Sequence, residues 1–205
     1  MIKKTINAIE TKAHLLDCAL TLFAEKGYAA TSVRDIIQDA SVTQPTLYYH
    51  FADKSDLFIQ LVKHHYGESQ QKLMDAIASA DGIRDRLMAM AAGSFAFSNQ
   101  DPRIPRLLFQ TYFGPPTPEV AKILDKLTKA RFDLVVSVMT LGIDSGELRQ
   151  NDPRFLALSF CCLIDQPINL FSRKPNPKKY LTQELADATV SLFLNGTVRA
   201  SPTTR

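Results

Sequence analysis

Along all 205 residues the apolar side chains recur at three- and four-residue intervals, and no stretch alternates β-branched with polar residues in the period of a strand. That pattern predicts an all-α chain of about nine helices. They are read at 8–26, 33–40, 44–51, 54–80, 83–98, 103–113, 118–145, 153–172 and 179–198. The breaks fall at Asp101-Pro102, Gly114-Pro115-Pro116, Asp152-Pro153 and Pro175-Asn176-Pro177. Pro167 stands inside the eighth segment and is expected to kink or end it. A chain of this size buries about 70% of its unfolded surface, enough to fold without disulfides or a structural metal. With 45% hydrophobic and 22% charged residues it is ordinary for a globular protein, which excludes a disordered, collagenous or disulfide-stapled chain.

The cysteines, Cys18, Cys161 and Cys162, are odd in number and lack metal-ligand spacing. They read as buried free thiols in a reducing compartment. The N-terminus has no continuous apolar stretch of the secretory kind. The longest apolar run, 155–164, is interrupted by Ser159, stops at Asp165 and falls short of the ~20 residues that cross a bilayer. A cytoplasmic protein with no membrane partner is the expectation.

The most informative element is a pair of two-turn helices joined by Ser41-Val42-Thr43. Two helices so short cannot fill a core alone and read as a helix-turn-helix resting on the first long helix. Ser32 with Asp35 has capping-box spacing, Thr43 is a candidate N-cap, and Pro45 is tolerated in a first turn. Periodicity turns Val33, Ile36, Ile37, Ala40, Leu47 and Phe51 inward. Gln44, Pro45, Thr46, Tyr48, Tyr49 and His50 are left on outer and flanking faces. Flat side chains carrying hydroxyl, amide and imidazole groups suit a DNA groove, where Gln44 can read an adenine edge and the Thr46 methyl a thymine methyl. The same spacing also suits a helical hairpin whose tyrosines pack on a neighbour.

Residues 22–58, LFAEKGYAATSVRDIIQDASVTQPTLYYHFADKSDLF, resemble the N-terminal domain of TetR-family transcriptional regulators. The matching pieces are Phe23 to Tyr28, Thr31 to Ile36, Leu47 to Phe51 and Lys54 to Leu57. The resemblance implies an N-terminal three-helix DNA-binding domain (1–53) and a larger helical effector-binding and dimerisation domain (54–205), connected by the helix at 54–80. It implies that Tyr48 belongs to the recognition helix and that Tyr49, His50 and Lys54 meet phosphates. Thr31, Ser32 and Val33 would set a helix N-terminus against the backbone, with Thr43, Gln44, Pro45 and Thr46 completing the DNA-facing set. The chain departs from the family at Ser41 and Pro45, where glycine is usual.

Residues 1–66 carry seven Lys/Arg and seven Asp/Glu, so a shallow salt dependence of DNA binding is expected, with Lys3 and Lys4 as a short arm. By resemblance the C-terminal helices hold a small-molecule effector and form a homodimer on a double-stranded operator, more often as repressor than activator. Phe95, Phe109, Tyr112, Phe113 and Phe132 are candidate pocket aromatics, with Asn99, Gln110 and Asn169 as polar companions. Asp165, alone in an apolar helix, needs a protein donor or a cationic ligand. Leu181, Leu185, Ala188 and Leu192 have the spacing of a dimer seam or of an internal core. The rival readings are a helical metal enzyme using His64, His65 and Glu68, and a fold that binds only protein. No cofactor, metal or catalytic set is expected.

Overall fold

The computed structural model describes residues 2–115 and 117–196, the side chains of 2–7 and 67–69 excepted. The side chains of Lys3, Lys4 and Glu68 therefore lie outside the described ones. The described chain is helical: α1 (Ile2–Lys26), α2 (Val33–Asp39), α3 (Gln44–His50), α4 (Lys54–Ser79), α5 (Gly82–Gln100), α6 (Arg103–Phe113), α7 (Pro118–Asp144), α8 (Pro153–Phe171) and α9 (Gln183–Asn195). It divides into two compact units, residues 1–71 with 101–130, and residues 72–100 with 131–205, so α4 and α7 each contribute to both.

Local chemistry sets the boundaries of the first unit. Gly27 ends α1 at φ +85°, its amide returning to the Phe23 carbonyl at 2.9 Å, the arrangement a left-handed C′ residue provides. The Ser32 hydroxyl accepts from the Asp35 amide at 3.1 Å, and the Asp35 carboxylate accepts from the Ser32 amide at 2.8 Å, closing a capping box on α2. Thr43 caps α3 through the Thr46 amide. At the head of α4, Asp53 accepts from the Asp56 amide while Asp56 accepts from the Ala52 amide.

Leu15, Leu16, Ala19, Leu22 and Phe23 of α1 are all buried, and Ile36, Ala40, Leu47 and Phe51 close over them. Val33 and Ile37 remain half-buried at the margin. The Phe23, Tyr28 and Phe58 rings pack with centroids 5.1–5.9 Å apart. The helix α6 lies on α1 through Arg103, whose guanidinium donates to Asp17 (2.6 Å), Thr21 (2.7 Å) and Asp101 (2.7 Å).

In the second unit α5 packs on α8 and α9. Arg84 pairs with Asp187 at 2.6 Å, and Glu147 accepts from the Ile83 amide at 2.9 Å.

Several sequence expectations are corrected. The helix α1 begins at Ile2 rather than near residue 8. The last helix begins at Gln183, not 179, because Pro177–Lys179 forms a 3-10 turn and Thr182 then caps α9 through the Leu185 amide. Of the two expectations for Pro167, an end is excluded, since α8 runs on to Phe171. At 19 residues it is also long and apolar enough to cross a membrane, which the ten-residue run alone is not, and 22% of the stretch is buried. The three cysteines are free but unequal: Cys18 is buried, Cys161 half-buried and Cys162 exposed. Burial pushes the Cys18 and Cys161 thiols up to about 11, which keeps both protonated and inert.

Candidate nucleic-acid interface

The surface of the helix-turn-helix follows from how its core is filled. Leu47 is fully buried and anchors α3. Thr43, Gln44 and Pro45 at the open start of α3 are exposed, and Tyr48 (46%) and Tyr49 (77%), turned about 100° and 200° from Leu47, face out. Such exposure of two adjacent tyrosines leaves their rings free for a partner. The Thr43 and Thr46 hydroxyls share a hydrogen bond of 2.8 Å, so the cap itself holds Thr46 in place. Tyr49 and His50 meet edge to face at 4.9 Å. Partial burial, then the nearby Lys12 charge, holds His50 below the usual histidine range. Near neutral pH it therefore offers a neutral imidazole donor rather than a cation.

Two residues of the DNA-facing set have other work. Thr31 is buried, and its hydroxyl donates to the Leu22 and Gly27 carbonyls, so its side chain closes the α1–α2 loop instead of reaching a phosphate. Ser32 is exposed and Val33 half-buried at the α2 N-terminus. The Lys54 ammonium donates to the Tyr28 carbonyl at 3.0 Å and the Thr31 carbonyl at 2.9 Å, and lies 4.2 Å from the Tyr28 ring centroid. Burial lowers its pKa and the Glu119 charge opposes that. Lys54 braces the loop that presents α2. The sequence reading passed over Arg34, which is exposed in the first turn of α2. Arg34 and Lys54 are the only Lys/Arg between residues 29 and 56, so a charge census confined to this stretch singles out Arg34.

The effector candidates fare differently. Phe95 is 1% exposed and is core. Tyr112 (54%) and Phe113 (72%) are exposed at the end of α6, where Phe109 stacks on Phe113 at 6.2 Å. Phe132 carries the Arg154 guanidinium 5.4 Å above its ring. Asp165 makes two hydrogen bonds with Arg131, at 2.7 and 2.9 Å, so its partner is a protein donor and no cationic ligand is needed. Asn99 donates to the Leu181 carbonyl at 2.8 Å, while its own Oδ1, Asn169 Oδ1 and Gln110 Oε1 are buried without a protein partner. Leu181 is 2% exposed and belongs to its own unit's core, which removes it from the dimer seam. Leu185 is half-buried, and Ala188 and Leu192 are exposed. Exposed apolar positions that the sequence reading missed include Phe155, Leu158 and Leu170 of α8, all above 50%. No group of three metal-ligating side chains occurs among the described residues.

Residues 15–61 match the family described as "Bacterial regulatory proteins, tetR family". A fatty acid metabolism regulator protein of Bacillus subtilis is 23% identical over 183 residues, covering 89% of this chain and 93% of the relative. The structure is similar to that of the B. subtilis transcriptional regulator FadR in complex with stearoyl-CoA, with TM-score 0.77 and 22% identity, covering 91% of this chain and 99% of the other. It is also similar to AibR in complex with isovaleryl coenzyme A and operator DNA, with TM-score 0.71 and 19% identity, covering 89% and 97%. Likeness at these identities carries the all-α fold.

Proposed function

By residues 15–61 the chain belongs to the tetR family of bacterial regulatory proteins, and from that premise we propose a repressor that grips a palindromic operator as a homodimer and is released by an acyl-coenzyme A thioester. It is a DNA-binding transcriptional regulator, and the observation that carries the reading is the capped α3 with Tyr48 and Tyr49 held outward over a buried Leu47. In this reading residues 1–53 are the reading head, 54–80 the connector, and 54–205 the effector and dimer region, working in the cytoplasm.

Two reading heads must sit about 34–36 Å apart to enter successive major grooves. A second copy of the chain is the natural cover for α8, whose Phe155, Leu158 and Leu170 lie exposed, with Ala188 and Leu192 of α9. An exposed apolar stripe on a helix this hydrophobic favours an isologous helix–helix contact. The thioester class is supported by the two similar proteins solved with coenzyme A esters. Release requires only that the ester bind one spacing of the heads better than the other.

The test is a mobility-shift titration on the chain's own upstream region with short- and long-chain acyl-CoA esters. Retained operator binding with every ester refutes that effector class. Random-oligonucleotide selection that enriches no inverted repeat, or a strictly monomeric chain in sedimentation, refutes the operator and dimer assignments.

A further inference from the structure

We propose that the DNA-binding unit carries a separate anion groove, between α1 and the N-terminal half of α4, that binds a free diphosphate-bearing small molecule. The groove has a volume of about 340 Å³ and is lined by Lys12 and Leu16 of α1 and by Gln60, Lys63 and His64 of α4. Residues 12 and 16 stand one turn apart, and 60, 63 and 64 occupy a single face, so two helix stripes confront each other. Leu16 is buried and gives the groove an apolar wall, while its rim is cationic.

Three basic side chains and no acidic one are among the five residues that line the groove. Asp56, one turn from Gln60, accepts from the Ala52 amide and from the Gln60 side chain at 2.9 Å and keeps its charge beside the groove. Asp17, next to Leu16, is paired with Arg103 at 2.6 Å. Among the described residues neither Lys12 nor Lys63 is in an ion pair, and the Lys12 ammonium lies 5.7 Å from the Phe51 ring centroid. A cleft of one sign with a low-dielectric wall concentrates counter-ions. Lysine ammoniums bind phosphate as movable point charges, and the volume lies at the lower end of the range for small-molecule sites.

The duplex backbone is the weaker candidate for the same chemistry. Lys63 stands nine residues beyond Lys54, about 13 Å along α4 from the end that adjoins α3. A small anion reaches that depth without asking the duplex to bend.

The experiment uses the full chain, with inorganic pyrophosphate and ADP as probes, sulfate as control, and constant ionic strength. Calorimetry and thermal melting are read together. The expected result is saturable binding of both probes, with Tm raised by about 3–5 °C at ten times Kd. The Lys12→Gln/Lys63→Gln pair should weaken binding about tenfold or more, and Lys63→Arg should retain it. Lys63→Gln alone, at an exposed position, serves if the double variant does not fold. Absence of saturation at millimolar probe overturns the proposal, as does equal binding by parent and variants. A loss confined to duplex affinity, with pyrophosphate silent, also overturns it and assigns the groove to the DNA backbone.

Discussion

Replacing Lys54 by Ala separates a brace from a phosphate contact. The ammonium holds the Tyr28 and Thr31 carbonyls at 3.0 and 2.9 Å and lies over the Tyr28 ring. Two charge-assisted bonds at a half-exposed site contribute about 1.5 kcal/mol each, and the ring contact about 0.5 kcal/mol. Burial of the ammonium opposes this, as its lowered pKa records. The net loss expected on truncation is about 2 kcal/mol, which in a chain of this size lowers Tm by about 4–8 °C. The assay is thermal denaturation by circular dichroism at neutral pH with no DNA present, beside duplex binding at a temperature where the variant is folded. A Tm within a degree of the parent, together with lost duplex affinity, would show that the ammonium serves the DNA and refute the brace.

Ser41 sits at φ +52°, the C′ position of a Schellman turn in which the Val42 amide returns to the Ile37 carbonyl and the Ser41 amide to Gln38, both at 3.2 Å. Relief of about 1–2 kcal/mol of left-handed strain, less about 0.5–1 kcal/mol of added glycine entropy, leaves Ser41→Gly stabilising; a lowered Tm would contradict that. Arg34→Ala should weaken binding to specific and random duplex alike and flatten the salt slope by about one, and sequence-dependent loss would argue for base contact instead. Burial foremost, then the neighbouring His64 charge, holds His65 below its ordinary range, with Arg103 adding to that and Asp101 and Asp17 acting against it. A base with a depressed folded pKa contributes stability above about pH 6.5 that is lost as pH falls through its folded value. Tm should therefore drop on acidification from pH 7 to pH 5, and His65→Gln should drop less steeply.

How much of this was legible in the sequence depended on the range of the interaction. The caps at Ser32 and Thr43 act within three residues, which is why short-range spacing identified them. The inward positions Ile36, Ala40, Leu47 and Phe51 were legible for a similar reason, because one buried face repeats at the helical period. The start of α9 was missed because Tyr180 and Leu181, after the Pro177–Lys179 turn, extend the apolar pattern backwards, and only the Thr182 cap decides the boundary.

Long-range partners were hidden, and they account for the corrected sites. Lys54 meets carbonyls 23 and 26 residues away, and Asp165 meets Arg131 across 34 residues. A lone charge in an amphipathic pattern says only that a partner exists, not whether that partner is a ligand or the chain itself. Burial resolves the same ambiguity in the opposite direction for leucines. Leu181 and Leu192 share one periodic stripe, yet Leu181 is 2% and Leu192 42% exposed, because the turn before α9 folds Leu181 back so that its carbonyl accepts from Asn99. A stripe that begins in one core and ends in solvent has unused apolar surface at its far end, and the equally exposed α8 positions place more of it on the neighbouring helix. Self-association through α8 and α9 then buries side chains that the single chain leaves wet, so Leu158→Asp is expected to shift sedimentation toward monomer with little change in helicity. Unchanged sedimentation with intact folding would put the interface elsewhere.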